Sequence, residues 1–187
     1  MGGGNLGLMV EMTIYGVSFD LVGKQPIVLL KTAEGNRYLP IWIGHPEAAA
    51  ILMKLQGTDA PRPLTHDLLV NILSELDVDV VRVTVTELRE NTFHASITVA
   101  QNGSEIEIDS RSSDAIAVAV RAQAPIFAAD EVIEESAIEF EGEDVNEEEI
   151  VDEFRKFLDQ VSPDEFAAEL EEDEEAFEPE EESEPED

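Results

Sequence analysis

The spacing of apolar positions switches between strand-like and helix-like along this chain. Three stretches between residues 8 and 43, LMVEMTIYGVSF, PIVLLKT and RYLPIWI, read as strands, and AEGN supplies the turn chemistry of a hairpin between the last two. AAAILMKL and LLVNILSEL are helical in length and spacing, and Leu68, Leu69, Ile72, Leu73 and Leu76 form one apolar stripe. TDAPRP between them is a rigid connector. After Asp77 the period returns to two. Val81, Val83 and Val85 alternate with Arg82, Thr84 and Thr86, and Phe93, Ala95, Ile97 and Val99 alternate with His94, Ser96 and Thr98, so each strand has one dry face. Asn102-Gly103 is a strong hairpin signal leading into Ile106 and Ile108, which predicts an antiparallel meander. SSDAIAVAVRAQA is apolar nearly all round, stops before Pro125, and reads as a buried helix. Strands in runs with helices between them predict an α+β fold: a mixed or antiparallel sheet of strand hairpins with about three core helices.

Beyond Asp130, Ile150, Val151, Phe154, Phe157, Leu158 and Val161 make a helical stripe in an acidic context. SPDEF restarts a helix, with Ser162 as cap, Pro163 at the first position and Glu165 completing a capping box. The expected organisation is a folded domain over residues 1–140, an amphipathic helical extension over 141–170 and a disordered acidic tail over 171–187.

Charge divides the chain in the same place. Residues 1–130 carry a net −7 and residues 131–187 a net −26. The acidic end has too little apolar content to offset the entropy of ordering it. Cysteine is absent, which excludes disulfides, thiolate metal sites and cysteine nucleophiles. No apolar run approaches the roughly 20 residues of a membrane span, and the start lacks the basic and apolar regions of a signal peptide. A soluble, cytoplasmic protein with no membrane contact is expected.

Three helix starts look alike. His45-Pro46-Glu47, Thr65-His66-Asp67 and Ser112-Ser113-Asp114 each place a polar residue at a helix start and a carboxylate two positions on. The plain reading is capping: Thr65 and Ser112 cap free amides, and each carboxylate complements the positive end of its helix by roughly 0.3–1 kcal/mol. That reading leaves the arginines unexplained. Arg62 precedes the Thr65 start and Arg111 precedes Ser112, and an exposed helix N-terminus beside a guanidinium is a phosphate site. Converging starts would gather Glu47, Asp67 and Asp114 as ligands for Mg²⁺ or Mn²⁺. His66 would then act as general acid or base beside them, with Arg62, Thr65, Arg111 and Ser113 on the phosphate. His94 reads as an ordinary surface residue, Asp77 and Asp79 as turn residues, and Trp42 as a packing residue. No Gly-rich phosphate loop, H-E-x-x-H, G-x-S-x-G or EF-hand spacing is present.

At these residues the chain resembles the bifunctional nuclease domain family, in the blocks RYLPIWIGHPEAAAI, RPLTHDLL and SRSSDAIAVAVRAQAPIF, which stand in the family's order over residues 10–135. EFRKFLDQVSPDEF is similar to the acidic C-terminal ends of actinobacterial members. The resemblance implies an α+β fold, homo-oligomerisation and nuclease activity on DNA and RNA. It brings no assigned catalytic set. His45 departs from the family pattern, where a polar residue such as Gln or Ser is expected.

The leading expectation is a metal-assisted phosphodiesterase using Glu47, His66, Asp67 and Asp114. The alternatives are a non-catalytic anion- or nucleotide-binding module that recruits a protein partner through residues 147–161, and a structural homo-oligomer. Charge weighs against nucleic-acid binding, since residues 1–130 hold nine Lys and Arg against sixteen Asp and Glu. An acidic extension competing for the positive surface around Arg62, Arg111 and Arg121 would be autoinhibitory.

Overall fold

The structure, a computed structural model, describes residues 8–19, 25–58 and 60–139. The helices expected over 147–161 and from Ser162, and the acidic tail, lie outside the described residues.

Two antiparallel meanders make up the sheet. β1 (Met9–Phe19), β2 (Pro26–Thr32) and β3 (Arg37–Trp42) form the first. β4 (Asp79–Arg89), β5 (Thr92–Gln101) and β6 (Ser104–Arg111) form the second. Between them in sequence come α1 (His45–Leu55) and α2 (Thr65–Glu75). α3 (Ser112–Ala122) then leads to β7 (Ile126–Ala129), which pairs antiparallel with β1 and parallel with β4. That four-residue strand joins the meanders into one mixed sheet of order β6-β5-β4-β7-β1-β2-β3-β8, where β8 (Ile138–Glu139) follows α4 (Asp130–Ser136). The α+β class and the hairpins are as the pattern predicts. β7, α4 and β8 are additions to it. Four residues of IFAA are too short to show a period.

One core cluster draws Val28, Leu30, Leu39 and Ile41 from the first meander and Val83, Val85, Ile97 and Val99 from the second, together with Ile51 of α1, Ile116 of α3 and Ile133 of α4. Each such burial contributes about 1.5–3 kcal/mol. On β2, Ile27 and Leu29 pack with Tyr38 in a second cluster, against Tyr15, Trp42 and Ile138. β2 is therefore buried on both sides, which is why PIVLL runs apolar without alternation. Val81, expected beside Val83 and Val85, falls at a register shift between Val80 and Arg82 and is only half-buried. Asn102 and Gly103 adopt φ of 52° and 80°, the left-handed pair a two-residue hairpin needs.

α2 departs from expectation. Its stripe does not face the core: Leu68 and Ile72 are 53% and 47% exposed, Leu69 and Leu76 are exposed with them, and none of its residues is fully buried. Only Val70 and Leu73 pack inward. Its C-terminal end is tied to the sheet where Gln101 Nε2 donates to the Leu76 carbonyl at 3.2 Å. Among the described residues, no helix is long and apolar enough to cross a membrane.

Candidate functional site at three helix starts

α1 and α3 pack against each other, and both bury alanines: Ala48 and Ala50 on one, Ala115, Ala117 and Ala119 on the other. Short side chains let helix axes approach closely. Arg111 ends β6 and stands at the N-cap of α3, where it reaches across to α1. Its Nη2 donates to Glu47 Oε1 at 2.9 Å and its Nε to Asp114 Oδ2 at 2.7 Å. Asp114 Oδ1 in turn lies 2.9 Å from His66 Nε2, in the first turn of α2. A continuous chain, Glu47–Arg111–Asp114–His66, thus links the starts of all three helices.

Local sequence aims each member. Gly44 is the N-cap of α1, and Glu47 at the third helical position folds back over it; a Cβ at residue 44 would collide with Glu47 Oε2. On α3, Asp114, Ala117 and Arg121 share one face, and positions 114 and 121 are about 10 Å apart along the axis. The start of α2 lies against this face, so that neighbouring residues part: His66 meets Asp114 and Asp67 meets Arg121.

Asp67 is thereby withdrawn from the chain of contacts. Arg121 Nε donates to Asp67 Oδ1 at 2.6 Å, and the Leu64 N–H donates to Oδ2 at 2.8 Å. Against the desolvation that burial imposes, the Leu64 amide and the Arg121 guanidinium hold the Asp67 carboxyl below its ordinary value. Desolvation also opposes ionisation of Asp114, but hydrogen bonds from Arg111 and His66 outweigh it and lower that carboxyl too. The same bonds, from Asp114 first and Glu47 second, raise Arg111.

Two cavities flank the network. One of about 230 Å³ is lined by Lys54, Arg62, Leu64, Asp67 and Arg121. The other, of about 360 Å³, is lined by Trp42, Gly44, Leu88, Phe93, Arg111, Ser112 and Ser113, among others. Arg62 and Arg111 therefore open onto different cavities. Thr65 is exposed and is the first residue of α2, with Leu64 at the N-cap; Ser112 is likewise the first residue of α3. No side chain caps either helix through its N-cap residue, which corrects the expectation that Thr65 and Ser112 cap free amides. The acceptor at α2 is Asp67 instead. Ser113, the second residue of α3, is 6% exposed, and His45 at the start of α1 is exposed.

The arrangement of donors does not fit a three-carboxylate metal centre. Glu47 and Asp114 are bridged by a guanidinium, Asp67 is held by another, and among the described residues no three His, Asp or Glu side chains gather as a ligand set. Arg121 is the residue that sequence reasoning placed wrongly. Its side chain is only 4% exposed, so it is an internal partner and not part of a positive surface. The spacing of seven from Asp114 to Arg121, two turns on one helix face, was the available signal.

Residues 28–141 match the model of the family described as bifunctional nuclease domain. The chain is 39% identical over 166 residues to an uncharacterized protein of Mycobacterium tuberculosis, strain H37Rv, covering 86% of this chain and 99% of that protein. It is 27% identical over 103 residues to bifunctional nuclease 1 of Oryza sativa subsp. indica, covering 53% of this chain and 31% of the rice protein.

Proposed function

The chain belongs to the bifunctional nuclease domain family, and on that premise we propose that it is a phosphodiesterase acting on DNA or RNA, with His66 moving the proton and Arg111 meeting the phosphate. The observation that carries this reading is the Glu47–Arg111–Asp114–His66 chain, with contacts of 2.9, 2.7 and 2.9 Å.

An ionised carboxylate only accepts hydrogen bonds, so Asp114, held ionised by its partners, requires the proton of neutral His66 to sit on Nε2. Nδ1 is left with its lone pair, and it makes no hydrogen bond among the described residues. That nitrogen is the candidate base. Asp114 is a positioning group for both neighbours, fixing the His66 tautomer through Oδ1 and the Arg111 plane through Oδ2. Arg111 has committed Nε and Nη2, which leaves Nη1 without a partner among the described residues and able to meet a phosphate oxygen. A Mg²⁺ or Mn²⁺ ion at Asp114 would compete with Arg111 and His66, which already occupy both of its carboxylate oxygens, so no step is assigned to one.

The test is cleavage of labelled single- and double-stranded DNA and RNA by purified protein, with Mg²⁺, with Mn²⁺ and with chelator. His66→Ala should lower the rate by about 10²–10⁴. Wild-type protein that cleaves none of these under any of the conditions sinks the reading.

A second reading is a non-catalytic module that binds an anion or nucleotide and recruits a protein through residues 147–161. It is favoured by one observation: Arg111 and Arg121 are already paired with Glu47, Asp114 and Asp67, which leaves too little uncompensated positive charge to track a polynucleotide backbone, whereas a single small anion needs less. Binding without cleavage, indifferent to chelator, would support it. We also propose homo-oligomerisation through the outer face of α2. Leu68, Ile72 and Leu76 are spaced by four and symmetric about Ile72, so an antiparallel second copy would set Ile72 on Ile72 and Leu68 on Leu76.

A further inference from the structure

The 360 Å³ cavity beside the network is lined by both polar and apolar side chains. The start of α3 contributes Arg111, Ser112 and Ser113 to that lining. No side chain caps that helix, so its first amides carry the positive end of the helix dipole without a side-chain acceptor. Ser112 and Ser113, 7% and 6% exposed, line the cavity, and neither hydroxyl has a hydrogen-bond partner among the described residues. Both hydroxyls open to the cavity, where a ligand oxygen can take the place of water on them. Arg111 lines the same cavity, its plane fixed by Glu47 and Asp114. Trp42, Leu88 and Phe93 supply apolar lining, and Gln25, Asn91 and Thr92 further polar lining.

Uncapped amides, two hydroxyls and a guanidinium together suit an oxyanion, and the aromatic lining suits a flat apolar ring. We propose that this cavity holds a single nucleotide, its phosphate on Ser112, Ser113 and Arg111 and its base against Trp42 and Phe93. The volume is at the lower end of small-molecule sites, enough for one nucleotide and too small for a duplex. The strand that enters must therefore be single or have one base unstacked. The inference rests on the nuclease reading for its choice of ligand, and it specifies the substrate as an unpaired nucleotide that shares Arg111 with the proposed reaction site. Glu47 and Asp114 oppose the anion, so the affinity rests on the hydroxyls and the aromatic lining as much as on charge.

Trp42 is the sole tryptophan of the chain, so its fluorescence reports the cavity directly. Full-length protein is titrated with adenosine monophosphate, adenosine, inorganic phosphate and a short oligodeoxyadenylate. Adenosine monophosphate should quench Trp42 and bind at least about tenfold tighter than adenosine or phosphate, since a hydrogen bond to a charged group is worth a tenfold step or more. Ser113→Ala should weaken it about tenfold. Thr92→Glu, an exposed residue at the cavity rim, should do the same by repelling phosphate without touching the core. Oligonucleotide bound at the same site assigns the nucleotide to a strand; its exclusion, with the monophosphate still bound, assigns the site to a free nucleotide. Equal affinity for adenosine and its monophosphate, or wild-type affinity in both variants, overturns the proposal. Binding without any cleavage removes the nuclease reading and leaves the cavity assigned, while cleavage without monophosphate binding removes the cavity alone.

Discussion

Arg121 holds Asp67 at 2.6 Å from a side chain that is only 4% exposed, and the same guanidinium donates to the carbonyls of Ala50 and Ala117. One side chain of α3 thus fastens α1 and α2 to it. The pair acts on architecture, whereas the neighbouring His66–Asp114 contact faces the proposed chemistry.

Asp67→Asn should therefore show its effect in stability. It leaves a buried guanidinium short of its counter-charge, at a cost of about 3 kcal/mol, or about 10 °C in Tm for a chain of this size. Glu47→Gln breaks a contact to an Arg111 side chain that is 66% exposed and should cost under about 1 kcal/mol. Thermal melts of the two variants check the order; equal melting temperatures would remove the distinction between the two arginines, and a lower melting temperature for Glu47→Gln would reverse it.

Gly44→Ala is expected to fold normally, because its φ of −73° suits any residue and the new methyl clashes only with the far end of the Glu47 side chain, meeting Pro46 at an ordinary contact distance. It should nevertheless turn Glu47 away from Arg111. In the phosphodiesterase reading, cleavage falls by about tenfold or more, the cost of misplacing a charge clamp, with Tm within about 2 °C. Unchanged cleavage would mean that Glu47 does not fix the guanidinium.

Acid should weaken the fold through Asp67 and Asp114. Both carboxyls are lowered in the folded protein, so each adds stability that is fully present above the unfolded value of about 3.9 and disappears as pH falls through the lower folded value. Stability should decline most steeply below about pH 4. In Asp114→Asn that part of the slope should flatten, measured by denaturant titration at a series of pH values; an unchanged slope would show that the Arg111 and His66 contacts add no stability.

The outer face of α2 gives a test of assembly. Ile72→Glu, at the centre of the exposed Leu68–Ile72–Leu76 row, should reduce the mass measured by light scattering to that of a monomer, with little change in monomer stability because Ile72 is already 47% exposed. A mass that matches wild type would remove this face as the contact between copies.

Removing residues 141–187 takes most of the negative charge from the chain. If the extension competes with phosphate, the truncated protein should bind single-stranded oligonucleotide more tightly than the full chain at low salt. The difference should close as screening at about 0.15 M shortens the reach of exposed charge to roughly 8 Å. Equal affinities at low salt favour partner recruitment by residues 147–161.

Local pattern determined the strands and helices of the described domain wherever it was periodic. The alternation from Phe93 to Val99, the Asn102-Gly103 turn and the apolar run into Ala122 each depend on residues close in sequence, which is why α+β and the hairpins were legible. The helix starts that meet at the site were legible too, since a carboxylate at the third helical position is a local signal. Their pairings were not. Whether Asp67 faces Asp114 or Arg121 depends on where α2 lies along α3, a rotation and shift set by packing between segments about 50 residues apart. The outward turn of Leu68 and Ile72, and the placing of β7 between β1 and β4, were decided in the same way. Burial is a property of what else is near, and tertiary contacts alone supply that.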